Sequence, residues 1–297
     1  MRTNVVEADG VELSCEAFGN PNDPAILLIM GAMASMLWWP EQFCQQLAKQ
    51  GCYVIRYDNR DTGLATNYPV GKPQYSFEDM ADDAIRVLDG YGISSAHIVG
   101  MSMGGMIAQL VALRYPHRCR TLILMSTSPV GVDTSHLPQM TAAYTEHSNS
   151  AADLDWSDRT QVIEFMVADA RAISSTRHPF DEQRARELIV TDYDRARRFQ
   201  SATNHFLLSS GDKRKERLAQ SQIPLLVIHG KSDPIFPIEH GIEFTRIDPT
   251  SKLVQIEGGG HELHPEDWNT MLEALSEHTN KQEDSRESRT SGRQARD

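Results

Sequence analysis

An α/β fold with a mostly parallel central sheet is predicted by two features of the sequence. Short continuous apolar runs such as AILLIM (25–30), AHIVG (96–100) and TLILMS (121–126) read as strands covered on both faces. Between them lie segments with apolar residues at helical period, among them EQFCQQLAKQ and MGGMIAQLVALRYP. Strand, helix and strand in alternation require crossover connections, which is how parallel strands are joined. The 297 residues, 40% of them hydrophobic, suffice for one full-sized core or a domain carrying a large insertion.

In chain order, VVEADGVELSCEAFG reads as two alternating strands about an Asp9-Gly10 turn, the dipeptide that best supplies the positive φ of a tight hairpin. AILLIM follows as a buried strand, EQFCQQLAKQ as a helix ending at Gly51, and CYVIRYD (52–58) as another strand. SFEDMADDAIRVLDGYG opens on Ser76 with Asp79 three residues on, a weak capping box, and places Met80, Ala84, Val87 and Leu88 on one face. AHIVG, the helix ending before Pro116, and TLILMS complete the middle of the chain. From 131 to 221 the strands vanish: TQVIEFMVADARAI, FDEQRARELIV and RARRFQSATNHFLL all look helical, and the segment is expected to be an inserted helical cap. IPLLVIHG (223–230) restores the sheet, EHGIEFTRI is a helix and KLVQIEG (252–258) a last strand. PEDWNTMLEALSEH closes as a helix with Trp268, Met271, Leu272 and Leu275 on one face. The sheet then has about eight strands, in a core formed by 1–130 and 222–279. Residues 280–297 are expected to be a disordered polar tail.

Composition narrows the function. A formal net charge of −12 supplies no cluster of Lys and Arg to neutralise a phosphate backbone, so no nucleic-acid partner is expected. No apolar stretch reaches the length of a membrane span, and the first residues lack the apolar core of a signal peptide, so a cytoplasmic protein is the default expectation. Cys15, Cys44, Cys52 and Cys119 have no C-x-x-C spacing and read as reduced, buried thiols. No P-loop, dinucleotide-type glycine fingerprint or H-E-x-x-H occurs, so neither a nucleotide cofactor nor a metal is implied.

The segment GMSMG (100–104) holds Ser102 between two glycines. The pattern alone is weak, because Gly and Ser are common residues. Its setting is stronger: Ser102 falls between a strand and a helix, where a tight turn needs small residues two positions to either side. A serine hydroxyl attacks only with a base, a group that orients the base, and donors for the oxyanion. Asp233 follows the strand IPLLVIHG, and His261 follows the last strand after three glycines; strand C-termini are where α/β sheets gather reactive groups. Asp58 and Asp61 in YDNRDTG are alternative acids, and His264 and His229 compete as base. Met30, Met33, Met36, Met101, Met103 and Met106, with Trp38 and Trp39, suggest an apolar, adaptable pocket, plain core packing being the other reading.

On these segments, with LLIMGAMASMLWWPEQF, VIRYDNRDTGLAT and HIVGMSMGGMIAQLVAL, the chain resembles the α/β-hydrolase fold superfamily from about Val5 to His278. Within it the chain looks most like the branch of small serine esterases typified by aclacinomycin methylesterase. The resemblance implies a carboxylic ester hydrolase with Ser102 as nucleophile, His261 as base, Asp233 as acid, and the backbone N–H groups of Ala32 and Met103 as oxyanion donors. Many relatives carry His-Gly where this chain has Met30-Gly31, which removes a polar side chain from beneath the site. The expected substrate is a small-molecule ester, small to medium or aromatic, methyl esters included. The alternatives on the same fold are a C–C bond hydrolase or a perhydrolase, and from another class a non-catalytic small-molecule receptor.

Overall fold

A computed structural model describes residues 2–208, 218 and 221–280. Eight strands form one sheet: β1 (Arg2–Ala8), β2 (Val11–Phe18), β3 (Ala25–Ile29), β4 (Tyr53–Tyr57), β5 (Ala96–Met101), β6 (Cys119–Met125), β7 (Leu225–Gly230) and β8 (Lys252–Ile256). Their spatial order is β1-β2-β4-β3-β5-β6-β7-β8. β1 and β2 are an antiparallel hairpin, its turn made by Asp9 (φ 53°) and Gly10 (φ 77°). β2 is antiparallel to β4, and all later pairs are parallel.

The parallel strands are apolar on both faces because helices cover both. α1 (Glu41–Lys49) and the helix α8 over 268–280 cover one side. There Phe43, Leu47, Trp268, Met271, Leu272 and Leu275 pack against Ile26, Leu28, Val99 and Ile228. α2 (Phe77–Gly90), α3 (Met103–Arg114) and α7 (Ile238–Ile247) cover the other, with Met80, Ala84, Ile107, Val111 and Phe244 against Leu27, Ile98, Leu124 and Val227. The expected capping box at α2 is present, with reciprocal bonds between Ser76 and Asp79. The four cysteines are buried, and among the described residues none forms a disulfide. No helix among the described residues is long and apolar enough to cross a membrane.

Between β6 and β7 the described residues hold α4 (Ala142–Asn149), α5 (Arg159–Ala172) and α6 (Glu182–Arg195). α5 and α6 share a small apolar cluster of their own: Val162, Ile163, Met166, Val167, Ala170, Ile189 and Phe199. Two differences from the sequence reading stand out. The helical reading of RARRFQSATNHFLL is corrected to the end of α6 followed by 3-10 turns over Phe199–Leu207. α4, which has no fully buried residue, carries no apolar stripe to betray it. Asn280 is still helical, and the rest of the expected tail, 281–297, lies outside the described residues.

The turn from β5 into α3 is packed backbone against backbone. A Cβ on Gly100 would meet the Gly104 carbonyl oxygen at 2.1 Å, and one on Gly104 would meet that of Ile29 at 2.1 Å. Both neighbours are backbone atoms, so Gly100→Ala forces β5 and α3 apart. The expected outcome is a loss of about 1–3 kcal/mol or more in urea unfolding, the usual range for overpacking; an unchanged midpoint would contradict the contact.

Candidate active site

Ser102 closes this turn with φ 56° and ψ −124°, a conformation that costs a non-glycine residue about 1–3 kcal/mol and survives only where the surroundings impose it. They do so here: its N–H bonds the Met125 carbonyl at 2.9 Å, and its own carbonyl takes the Gly105 N–H at 2.9 Å and the Thr127 hydroxyl at 2.7 Å. The side chain is half-buried and faces Gly31, whose missing Cβ would stand 3.0 Å from Ser102 Cβ and 3.5 Å from its Oγ. Any larger residue at position 31 would crowd the hydroxyl.

Asp233 and His261 come together after β7 and β8. His261 Nδ1 lies 2.8 Å from Asp233 Oδ2, and the other carboxylate oxygen accepts the Ile235 and Phe236 amides, each at 2.9 Å. Asp233 therefore shapes its own turn and does not cap α7, which has no side-chain cap. Burial alone would raise the Asp233 carboxyl. The His261 imidazole, its hydrogen bond, His229 and the Phe236 amide outweigh it, so the group sits below the ordinary carboxylate value and stays ionised. A carboxylate on Nδ1 fixes the tautomer with the proton there, leaving Nε2 as the lone-pair nitrogen. No hydrogen bond joins the Ser102 hydroxyl to His261; such bonds often tighten only in the substrate complex.

The His261 loop is packed backbone on backbone. Its N–H bonds the Ile173 carbonyl at 2.8 Å, and a Cβ on Gly260 would strike that oxygen at 2.1 Å. The Gly258 carbonyl accepts the Thr176 amide at 2.8 Å and the Ser175 hydroxyl at 2.7 Å. Gly258 and Gly260 are thus what admit the segment after α5, while Gly259 lies against Ile256.

A loop over residues 31–39 carries Ala32. Ala32 is half-buried, Met103 is buried at the first turn of α3, and among the described residues neither amide makes a hydrogen bond. Side chains distant in sequence hold this loop. The Met33 amide donates to His205 Nδ1 at 3.1 Å, while His205 Nε2 meets the Arg60 carbonyl at 2.7 Å. Asp192 accepts Trp38 Nε1 at 2.7 Å and the Ser35 amide at 3.5 Å. Asp58 accepts the Met36 amide at 3.0 Å and pairs with Arg195 at 2.8 Å. Asp61 accepts Tyr75, Asn204 and the Tyr68 amide. The two aspartates weighed as alternative acids are therefore committed to loop architecture.

The expected pocket residues divide. Met30 and Trp39 are buried in the core beside Phe43, the packing role weighed for them as the other reading, and Met36 is fully buried. Met33 packs against the α5–α6 cluster, and Trp38 lies between that cluster and the core that holds Phe43. His229 is fully buried, donates to the Phe236 carbonyl at 2.7 Å and stands 3.7 Å from Asp233, a supporting position. His264 accepts the Glu266 amide and stacks on His178 with centroids 4.4 Å apart and planes 10° from parallel. With Asp267 these two histidines bring three potential ligand atoms within 4.8 Å.

Comparison with known proteins agrees with this architecture. The family model described as "alpha/beta hydrolase fold" matches residues 24–267. The chain is 32% identical over 296 residues to rhodomycin D methylesterase DauP of Streptomyces sp. (strain C5), covering 94% of this chain and 98% of that one. It is 31% identical, with the same coverage, to rhodomycin D methylesterase DnrP of Streptomyces peucetius. Among solved structures, the esterase EaEST of Exiguobacterium antarcticum superposes with a TM-score of 0.75 at 22% identity, over 94% of this chain and all of that one (100%). The meta-cleavage product hydrolase CumD of Pseudomonas fluorescens IP01 gives 0.73 at 22%, over 94% and 97%. These structural likenesses establish the fold alone.

The buried histidines predict the response to acid. Burial holds His205 and His229 below their ordinary value of 6.5. The unfolded chain therefore takes up protons that the folded one refuses, and the stability is present above that value and lost as pH falls. Asp233, also lowered, acts in the same direction at lower pH. The expected outcome is an unfolding free energy that drops between pH 7 and pH 5 by up to about 1.4 kcal/mol per pH unit per histidine, read as a falling melting temperature. The slope should be shallower in His205→Gln; a melting temperature that rises as pH falls would contradict it.

Proposed function

The chain belongs to the alpha/beta hydrolase fold family and is a hydrolase of the ester-cleaving kind; from that premise we propose that it hydrolyses small carboxylic esters through a Ser102–His261–Asp233 triad and an acyl-enzyme. The observation that carries this reading is the 2.8 Å bond from His261 Nδ1 to a carboxylate whose other oxygen is held by two backbone amides. His261 Nε2 takes the Ser102 proton as Oγ attacks the ester carbonyl. The imidazolium so formed is stabilised by Asp233, which stays ionised throughout. The Ala32 and Met103 amides, with no competing acceptor, bind the oxyanion. Collapse passes the proton from His261 to the leaving alcohol, and water then repeats the cycle on the acyl-enzyme, returning the acid and the free serine.

Residues 131–221 are the cap in this reading. Their contacts with both the Ala32 loop and the His261 loop support it: Met33 with His205, Trp38 with Asp192, and His261 with Ile173. Two full-length relatives are named as methylesterases, so methyl esters lead the substrate list, with other short or aromatic esters behind.

Ser102→Ala removes one half-buried hydroxyl, and the fold is expected to survive. Ester turnover should fall about 10⁴-fold or more, and the mass adduct formed with a fluorophosphonate should disappear. Turnover near the original level would remove Ser102 from its role. His261→Ala should be equally damaging and His264→Ala mild; the reverse order would name the wrong histidine as base.

A further inference from the structure

α4 is attached to the rest of the molecule chiefly by polar groups. Its two half-buried side chains, Tyr144 and His147, both turn onto Asp169 of α5. The Tyr144 hydroxyl donates to Asp169 Oδ1 at 3.2 Å, and His147 Nε2 approaches the same oxygen at 3.2 Å but off the hydrogen-bonding direction. Asp169 Oδ2 makes no hydrogen bond among the described residues, although the side chain is only 23% exposed.

This cluster is tied to both loops of the His261–Asp233 pair. The Thr141 amide, at the start of α4, bonds the carbonyl of Pro234, the residue after Asp233, at 2.9 Å. The Asp169 carbonyl accepts the Ile173 amide at 3.1 Å, and Ile173 in turn accepts the His261 amide at 2.8 Å. Proximity is felt electrostatically: burial raises the Asp169 carboxyl, while His147, Tyr144 and His261 oppose the rise. Aromatic rings pack around its neighbours. His147 stacks on Phe165 with centroids 5.0 Å apart, Trp156 meets Phe165 edge-on, and Phe236 lies 5.9 Å from the His261 ring.

We propose that Asp169 Oδ2, with Oδ1 braced by Tyr144, is a polar subsite that accepts a hydrogen bond from a hydroxyl group on a ring-bearing ester. The inference rests on the esterase reading above. A half-buried carboxyl oxygen left open beside rings suits a substrate that is flat, apolar and hydroxylated. A hydroxyl both donates and accepts, so it fits the site whether the carboxyl is ionised or not.

The test is a set of methyl arylacetates: the unsubstituted ester, its three ring-hydroxy isomers and a cationic aminomethyl analogue. Hydrolysis is followed in the full chain and in Asp169→Asn, Asp169→Leu and Tyr144→Phe. The expected result is that at least one hydroxy isomer exceeds the unsubstituted ester about tenfold in kcat/KM, chiefly through KM. Asp169→Leu should abolish that ratio, while Asp169→Asn, which keeps an acceptor oxygen, and Tyr144→Phe should retain part of it. The idea is overturned if no isomer is favoured, if the cationic analogue is the favoured one, or if Asp169→Leu lowers all esters by the same factor, the mark of a mere clamp between α4 and α5. Fluorophosphonate labelling and turnover of the unsubstituted ester report separately on the triad. Their loss in the unmodified chain would instead overturn the esterase reading, and a melting curve on each variant identifies one that has not folded.

Discussion

The close approach of β5, α3 and β3 is the constraint on which the site depends. Gly100 lies against the Gly104 carbonyl, and Gly104 against those of Ile29 and Met30, with no space for a methyl group. Only in this packing does the chain turn from strand to helix in a single residue, and that residue is Ser102, strained at φ 56°. The helix that begins at Met103 presents free N–H groups at its first turn beside the same hydroxyl. Nucleophile and oxyanion donor in the proposed mechanism are thus one piece of local geometry, created by absent side chains rather than by attractive contacts.

Around that turn, function is divided between rigid and borrowed parts. The sheet supplies Ser102, Asp233 and His261 from the ends of β5, β7 and β8, and the carboxylate is fastened by its own loop. The loop with Ala32 has only a short 3-10 turn of its own, Met36–Trp38 capped by Ser35, and the rest of its support comes from elsewhere in the chain. Its amides and the Trp38 indole are held by His205, Asp192 and Asp58, and Asp58 is in turn held by Arg195. Burial disfavours the charge on Asp192, opposed by the Ser35 and Trp38 bonds. Such a buried polar network is stable only when complete, because each lost partner leaves another group desolvated.

Most of the fold was legible in the sequence because its signals are local. Continuous apolar runs marked the parallel strands, Asp9-Gly10 the hairpin, and Ser76 with Asp79 the start of α2. The proposed triad was legible because the alternation of strands and helices put Ser102, Asp233 and His261 after strand ends. The support of the Ala32 loop was not: Met33 and His205 are 172 residues apart, and Ser35 and Asp192 are 157. A lone Asp or His inside a charged helical stretch carries no pattern to distinguish it from a solvated face. Trp38 and Trp39 show the same limit, since neighbouring residues of one type part company, Trp39 into the core and Trp38 toward α6. The helical reading of 199–207 failed because apolar spacing there does not separate an α-helix from successive 3-10 turns.

The bonds from Ile173 and Thr176 to His261 and Gly258 carry a consequence for how such a protein can diversify. An insertion between Ala172 and Thr176 would displace the His261 loop together with the segment that received it, so length there is fixed. α4 has no fully buried residue and meets the body through Thr141 and a few polar side chains. It can be exchanged, shortened or re-sequenced with little strain on the sheet. The molecule thereby separates a seam of fixed length, running from α5 to the last strand, from a helix that tolerates replacement.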